Sequence, residues 1–255
     1  MKRINFLLIN TITLIFALIM NSLQGSEVFN GTTVGEVSAK YETLFTPAGY
    51  AFAIWGIIYL LLILFVAYQW VAWLKRKEDR EIIQTGWWFA LGNIANGFWI
   101  VAWLNQKMGL SVLLILVLLV SLIQLTVRLR LKKWNAPFRI VGFIWWPISI
   151  YLGWIIVATV ANISVFLISL GWYGGIIPEQ GWAILMIVAA TVIYLMLIKT
   201  RNIHEAALVG IWALVAIALK QWQLNNEIVI AALTASAILL VVIAVHAFKN
   251  IFNNI

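Results

Sequence analysis

The stretch Tyr151-Leu152-Gly153-Trp154-Ile155-Ile156-Val157-Ala158-Thr159-Val160-Ala161-Asn162 decides the fold of this chain. It is an apolar, helix-forming run that carries one stripe of aromatic, small and polar side chains. Tyr151, Trp154, Ala158 and Asn162 fall at offsets of zero, three, seven and eleven, which places them on one helix face. Because an amide in hydrocarbon needs a hydrogen-bonding partner, this face is predicted to point into a helix bundle.

Two interpretations of the stripe are open. In the first, Ala158 lets two helices approach closely and Asn162 bonds to the neighbouring helix, as is common at membrane helix interfaces. In the second, the small residue leaves a notch against which a flat molecule could lie. Taken alone, the stretch favours the first interpretation.

The composition indicates a polytopic membrane protein. Of 255 residues, 64% are hydrophobic and 10% are charged, against about 25% charged residues in soluble domains. The net charge of +8 comes from basic residues in short loops, so we expect a lipid bilayer and no nucleic acid as partner. The chain has no cysteine, which excludes disulfides. The two histidines, His204 and His246, are far apart in sequence, and no metal site is expected on them.

Eight apolar runs predict an all-α membrane helix bundle of about eight transmembrane helices. They cover approximately residues 4–20, 47–74, 84–104, 109–127, 147–171, 182–198, 206–219 and 228–248. The first run is either a retained helix or part of a cleaved signal peptide within residues 1–25, and the lack of a clear cleavage site favours the helix. The run 206–219 is short enough to be re-entrant. The polar stretch 21–46 is predicted to be the longest loop, either disordered or a lid.

The distribution of basic residues predicts the orientation. With eight spans and a cytoplasmic N-terminus, fourteen Lys and Arg residues lie inside and three, Lys40, Lys107 and Lys220, lie outside. This bias predicts a multi-pass protein of the cell (inner) membrane with both termini in the cytoplasm. No charged residue lies in the middle of a span, which argues against ion pumping. The residues form no catalytic set, so we do not expect an enzyme.

Two further spans carry aromatic and amide stripes. The stripe of the second span is Phe52, Trp55 and Tyr59, and that of the third is Asn93, Asn96, Trp99 and Trp103. Three such helices could enclose an apolar cavity with a few hydrogen-bonding groups, the usual composition of a small-molecule site. The alternative is that the aromatic side chains only pack the helices together or lie at the membrane interface.

These segments resemble the TspO/MBR family, also known as the tryptophan-rich sensory protein, translocator protein or peripheral benzodiazepine receptor family. The stretch from Tyr151 to Asn162 is similar to the fifth-helix signature, approximately Pro-Tyr-Leu-x-Trp-Val-x-Phe-Ala-x-x-Leu-Asn, with identical spacing from the tyrosine onward. Residues 45–59 resemble the family's loop-to-second-helix motif, Pro-Pro-Gly-Trp-x-Phe succeeded by Val-Trp and Leu-Tyr, with Pro47-Ala48 in place of the double proline. Residues 96–99 resemble the third-helix motif Leu-Asn-x-x-Trp.

The resemblance covers residues 1–172 and implies a five-helix bundle, often dimeric, so a homodimer is one expected assembly. We therefore divide the chain into a bundle of residues 1–174 and a three-helix extension of residues 175–255. Motif match gives as ligand-binding positions Pro47, Trp55, Tyr59, Asn96, Trp99, Trp154 and Ala158. The stripes add Phe52, Asn93, Tyr151 and Asn162.

The resemblance also implies the function: an integral membrane binding or sensory protein for a flat hydrophobic ligand, either a tetrapyrrole or a sterol-like lipid. No cofactor is required, and porphyrin or haem is expected as a ligand. Two alternatives stay open at this point, a transporter of a lipophilic solute and a structural membrane protein without a ligand. The residues do not decide between transport, sensing and oxidative tetrapyrrole breakdown.

Overall fold

The computed structural model describes residues 2–75, 80–133, 136–172 and 175–252. These residues form eight long helices, numbered here in chain order. They are α1 (Lys2–Ser22), α2 (Ile54–Leu74), α3 (Trp88–Leu104), α4 (Met108–Arg128), α5 (Trp146–Ser169), α6 (Glu179–Arg201), α7 (His204–Lys220) and α8 (Asn226–Phe252). Short helices lie at Val34–Lys40 and Arg80–Thr85, and 3₁₀ turns at Glu27–Phe29 and Gly49–Ala53. The predicted domain boundary at residue 174 lies outside the described residues.

The protein is a multi-pass helical membrane bundle, as the composition predicts. Among the described residues, six helices are long and apolar enough to cross a membrane. They are Arg3–Ser22, Gly49–Leu74, Met108–Arg128, Phe138–Ser169, Glu179–Arg201 and Asn226–Lys249. Helices α3 and α7 have 17 residues each, which gives a length of about 26 Å, slightly less than the ~30 Å hydrocarbon core. The count of eight spans therefore stays a prediction.

The loop between α1 and α2 is folded against the bundle. Thr33 and Glu36 form a capping box at the start of Val34–Lys40: Thr33 Oγ1 accepts from the Glu36 N–H at 3.3 Å, and the Glu36 carboxylate accepts from the Thr33 N–H at 2.7 Å. Trp103 Nε1 of α3 donates to the Val34 carbonyl at 3.2 Å. Of the two alternatives for this stretch, these contacts favour a lid over a disordered loop.

The fifth span begins earlier than the sequence predicts. We expected it to begin near Pro147, but the helical segment runs from Phe138 to Ser169 and includes a π-helical stretch, Val141–Trp145. Proline has no N–H with which to continue the helical hydrogen bonds, and the wider π turns end just before it.

Two glycines allow close helix contacts, Gly153 of α5 with α7 and Gly210 of α7 with α6. A Cβ atom at Gly153 would lie 2.6 Å from the Ala206 carbonyl oxygen of α7, and one at Gly210 would lie 2.4 Å from the Tyr194 ring. The Tyr194 hydroxyl of α6 donates to the Gly153 carbonyl at 2.7 Å. Helices α6 and α7, which belong to the predicted extension of residues 175–255, thus contact the backbone of α5 at Gly153. The division of the chain into two domains stays a prediction.

We expect Gly153→Ala to lower the thermal unfolding temperature of the purified protein in detergent. The added methyl group would meet backbone atoms of Ala206, which cannot rotate away, and such overpacking typically costs ~1–3 kcal/mol. Gly56→Ala on α2 is the matched control, because no atom of a neighbouring element in the described part of the chain lies within 4 Å of its Cβ position. The control should be neutral or slightly stabilising, since alanine is the better helix former. An unchanged unfolding temperature for Gly153→Ala would contradict the close approach.

Candidate functional site

Trp55 is the centre of an aromatic cluster that the three stripes form together. Its ring stacks on Tyr59, with centroids 5.3 Å apart and planes at 19°. Its centroid lies 6.1 Å from that of Trp99 on α3, and 5.9 Å and 6.2 Å from those of Tyr151 and Trp154 on α5. The structure therefore brings side chains of α2, α3 and α5 into one group.

Beside Trp55 lies a small cavity between these helices and the first loop, with a volume of about 30 Å³. Its lining is Val34, Pro47, Phe52, Trp55, Trp99, Trp103, Trp154, Val157, Ala158, Ala161 and Asn162. Seven of the predicted positions are among these residues. Tyr59 and Tyr151 contact Trp55 next to the cavity, and Asn96 bonds to Tyr59. Asn93 is buried in α3 but does not line the cavity.

Asn162 joins three helices through its side-chain amide. Its Oδ1 accepts from Trp99 Nε1 of α3 at 2.8 Å, and its Nδ2 donates to Ser111 Oγ of α4 at 2.8 Å. Ser111 in turn donates to the Met108 carbonyl at 2.8 Å. The first interpretation of the stripe, a bond from Asn162 to a neighbouring helix, is thus observed. The cavity next to Ala158 is present as well, so the two interpretations are compatible.

Asn96 of α3 likewise joins helices, because its side-chain amide bonds to α1 and α2. Its Oδ1 accepts from Asn21 Nδ2 of α1 at 2.7 Å and from the Tyr59 hydroxyl of α2 at 3.4 Å. All three side chains lie within the bundle, where water does not compete for these bonds. The amides of the two stripes therefore fix the aromatic rings by hydrogen bonds at their edges.

The cluster has more hydrogen-bond donors than acceptors. Four buried groups have no hydrogen-bond partner within the described part of the chain: Trp154 Nε1, the Tyr151 hydroxyl, Asn96 Nδ2 and Asn93 Nδ2. A buried donor without a partner costs about 1–3 kcal/mol. Trp154 is the one of these four residues that lines the cavity, so a molecule in the cavity that brought an acceptor atom to its Nε1 would recover part of that cost.

Sequence reasoning missed several residues of the site. Trp103, one turn beyond Trp99 and stacked on it at 5.6 Å, shared the stripe but was not selected. Ser111 gave no signal, because a serine in an apolar helix is common. Val34 begins a short helix within a polar stretch that the sequence predicts to be a loop, and seven residues give helical periodicity too little length to predict a face.

The two histidines are closer than their sequence separation suggests. His204 Nε2 and His246 Nδ1 lie 3.0 Å apart, because the start of α7 lies beside the end of α8. A search of the described ranges finds no group of three side chains that could hold a metal ion.

Asn162→Leu is expected to destabilise the protein. The substitution removes both amide bonds and leaves the Trp99 N–H buried without its acceptor. Hydrogen bonds within membrane proteins average about 0.6 kcal/mol, and an unsatisfied donor adds to that loss, so we expect a decrease of roughly 1–3 kcal/mol in unfolding free energy. Denaturant titration in mixed micelles would measure it. Asn105→Leu, at an exposed amide whose side chain donates to the Val101 carbonyl of its own helix at 2.8 Å, should change the unfolding free energy much less. Equal effects would contradict the bridging role of Asn162.

Comparison with known families gives a match to the family described as TSPO-like protein, over residues 7–245. The match extends beyond residues 1–172, which carry the resemblance seen in the sequence, through α6 and α7 into α8. Neither the curated proteins nor the solved structures that were searched include a match. Because the family match covers most of its length, this chain belongs to the TSPO-like protein family.

Proposed function

We propose that this protein binds a flat hydrophobic ligand, a porphyrin or other tetrapyrrole or a sterol-like lipid, in the aromatic cavity and serves as a membrane binding or sensory protein. The observation that carries the proposal is the convergence of Trp55, Trp99 and Trp154 around one cavity, which the unpaired Nε1 donor of Trp154 adjoins. Membership of the TSPO-like family supports the general part of this proposal, that the protein is a membrane protein that binds or senses a ligand. The apolar faces of the rings suit a flat ring system, and the donors suit its carboxylate, carbonyl or hydroxyl oxygens.

The cavity is closed in this structure. Its volume of about 30 Å³ is far below the ~300–1,000 Å³ of small-molecule sites, so binding requires that rings or the loop move apart. A flat molecule needs the least displacement, because the rings of Trp55 and Trp99 are inclined by only 31° to each other. This favours a planar ligand over a globular one of equal volume.

We propose a topology of eight spans in the cell (inner) membrane, with both termini in the cytoplasm. Contacts at the two ends of α7 support it: Lys132 pairs with Glu205 at 2.7 Å, and Lys220 pairs with Glu42 at 2.7 Å. The charge bias assigns Lys132 to the inside and Glu42 to the outside, so α7 would cross the bilayer and would not be re-entrant.

Helix α3 has contacts of the same kind. Arg128 Nε bonds to the Gln84 carbonyl at 2.9 Å, and Lys40 Nζ bonds to Gln106 Oε1 at 2.6 Å. Arg128 is assigned to the inside and Lys40 to the outside. The short lengths of α3 and α7 are therefore compatible with spanning, since their ends reach loops assigned to opposite sides.

Trp154→Ala is expected to weaken protoporphyrin IX binding by about tenfold or more. An aromatic contact contributes ~0.5–1.5 kcal/mol beyond its buried area, and about 1.4 kcal/mol corresponds to a factor of ten in Kd. Ala158→Leu should weaken binding as well, because it adds volume to the notch without removing a contact. Absorbance and fluorescence titrations of the purified protein would measure both constants.

The control for this pair is Trp222→Ala. Trp222 is 55% exposed and lies outside the cavity lining, so its removal should leave Kd within a factor of two. If the folded Trp154→Ala and Ala158→Leu variants bound protoporphyrin IX as the unmodified protein does, the cavity would not be the binding site and the packing interpretation of the stripes would stand.

Single cysteines test the topology without interference, since the chain has no cysteine of its own. Glu27→Cys in the first loop should react with a membrane-impermeant maleimide in intact cells, whereas Lys75→Cys and Lys249→Cys should react only after permeabilisation. All three positions are exposed in the structure. Labelling of Lys249→Cys in intact cells would place the end of α8 outside and remove the eight-span topology.

A further inference from the structure

A second concave site lies on the outer surface of the bundle, between α2, α5 and α7. This groove has a volume of about 530 Å³, within the ~300–1,000 Å³ range of small-molecule sites. Its lining is Ala53, Ile54, Ile57, Trp146, Ile150, Glu205, Leu208, Val209 and Trp212. None of these residues lines the aromatic cavity. The start of α2 separates the two sites, because Phe52 and Trp55 line the cavity whereas Ile54 and Ile57 line the groove.

Most of the groove is apolar and open to the surroundings of the bundle. Ile57, Leu208 and Trp212 are 55%, 49% and 40% exposed. In a membrane these side chains meet lipid, so an acyl chain is the occupant that their surface suits. An acyl chain alone would not need a specific site, and the specificity has to come from the polar end of the groove.

Glu205 forms that polar end. Its Oε1 accepts from Lys132 Nζ at 2.7 Å and from Trp146 Nε1 at 3.1 Å. Its Oε2 is buried and has no hydrogen-bond partner in the ranges that the structure describes. A buried carboxylate oxygen without a donor is costly, and here it is in a side chain that lines the groove. The site therefore offers one strong acceptor for a donor on the bound molecule.

The charges beside this acceptor select the kind of head group. Lys132 and Glu205 present a positive and a negative group side by side, which complements a zwitterionic head that carries a phosphate and an ammonium group. A primary ammonium has N–H groups that can donate to Glu205 Oε2, and a phosphate oxygen can accept from Lys132 Nζ. A neutral hydroxyl lipid would satisfy only the carboxylate. A quaternary choline head has the same charge but no N–H to donate.

We propose that this groove binds one phospholipid with a primary ammonium head group, of the phosphoethanolamine type. The ammonium bonds to Glu205, the phosphate lies against Lys132, and one acyl chain follows Ile57, Leu208 and Trp212. Trp146 supports this placement, since tryptophan at the end of a span is suited to the level of the lipid head groups. The site is independent of the aromatic cavity and of the ligand proposed there.

Native mass spectrometry of the delipidated protein would test the proposal. The probes are dioleoyl lipids with phosphoethanolamine, phosphocholine and plain hydroxyl heads, added one at a time to the protein in detergent. We expect one phosphoethanolamine lipid to remain bound, with at least tenfold weaker retention of the other two. Glu205→Gln should abolish this preference. It removes the negative charge and replaces one carboxylate oxygen by an amide nitrogen, which cannot accept a hydrogen bond from the ammonium group. Leu208→Trp should abolish retention by filling the groove.

Matched controls are Glu227→Gln and Leu240→Trp, which alter an exposed carboxylate and an exposed leucine outside the groove and should retain the lipid.

If Leu208→Trp failed to fold, Ile57→Trp would fill the same groove from α2. Equal retention of the phosphoethanolamine and phosphocholine lipids would overturn the proposal, as would undiminished retention in both filled variants. A filled variant that instead changed from dimer to monomer would also overturn it and show a second copy as the occupant. Protoporphyrin IX titration of Leu208→Trp should be unchanged, which separates this site from the aromatic cavity.

Discussion

The close approach of α5 and α7 at Gly153 is the contact on which the rest of the bundle depends. Only a glycine allows the Ala206 backbone to lie where a Cβ atom would be 2.6 Å away, and the next residue, Trp154, lines the aromatic cavity. A shift of α5 away from α7 would therefore move the Trp154 ring relative to Trp55. Because interiors are close-packed and do not deform gradually, the position of the cavity is coupled to helices that come after it in the chain. Tyr194 strengthens this coupling with its bond to Gly153.

A second constraint is that polar side chains in the bilayer must find partners among themselves. The bundle meets it with amide bridges that link helices distant in sequence: Asn10 Nδ2 bonds to Gln69 at 3.1 Å, and Asn162 bonds to Trp99 and Ser111. Each bridge fixes the position of one helix relative to another. Dispersion between apolar surfaces also holds helices together, but it fixes their relative position less specifically. The donors left over near Trp154 differ from these bridges, because they stabilise nothing in the structure as it stands. That difference is the physical basis for the proposal that a ligand pairs with them.

Helical periodicity was sufficient to predict which residues of each helix share a face, but not which neighbour meets that face. The offsets of Trp55, Trp99 and Trp154 within their own helices gave the stripes, and the structure brings all three together. Periodicity did not predict the contact of Val34 with the cavity, because its helix of seven residues is too short to show a clear period. Close glycine contacts such as Gly153 with Ala206 were also missed, since a glycine in an apolar run can equally face lipid. Depth and pairing depend on the order in which helices pack, which single-helix patterns do not contain.

The closed cavity determines which part of the protein has to move for a ligand to enter. Separating Trp154 from Phe52 or Trp55 breaks edge contacts with centroids 5.9 and 6.2 Å apart, each worth ~0.5–1.5 kcal/mol beyond buried area. Moving the whole loop also breaks buried contacts, because Phe29, Val37 and Phe45 belong to the core and the Ala48 N–H donates to the Ala216 carbonyl of α7 at 3.1 Å. The Glu42–Lys220 pair adds little to this, since it is partly exposed and such pairs contribute about 0–1 kcal/mol. The Trp103 N–H also donates to the Val34 carbonyl at 3.2 Å, which is a buried hydrogen bond between the loop and α3. Both routes therefore break buried contacts, and a movement confined to the residues around Val34 and Pro47 would uncover the cavity from the side that they line. The rings then separate only as far as the thickness of the planar ligand requires.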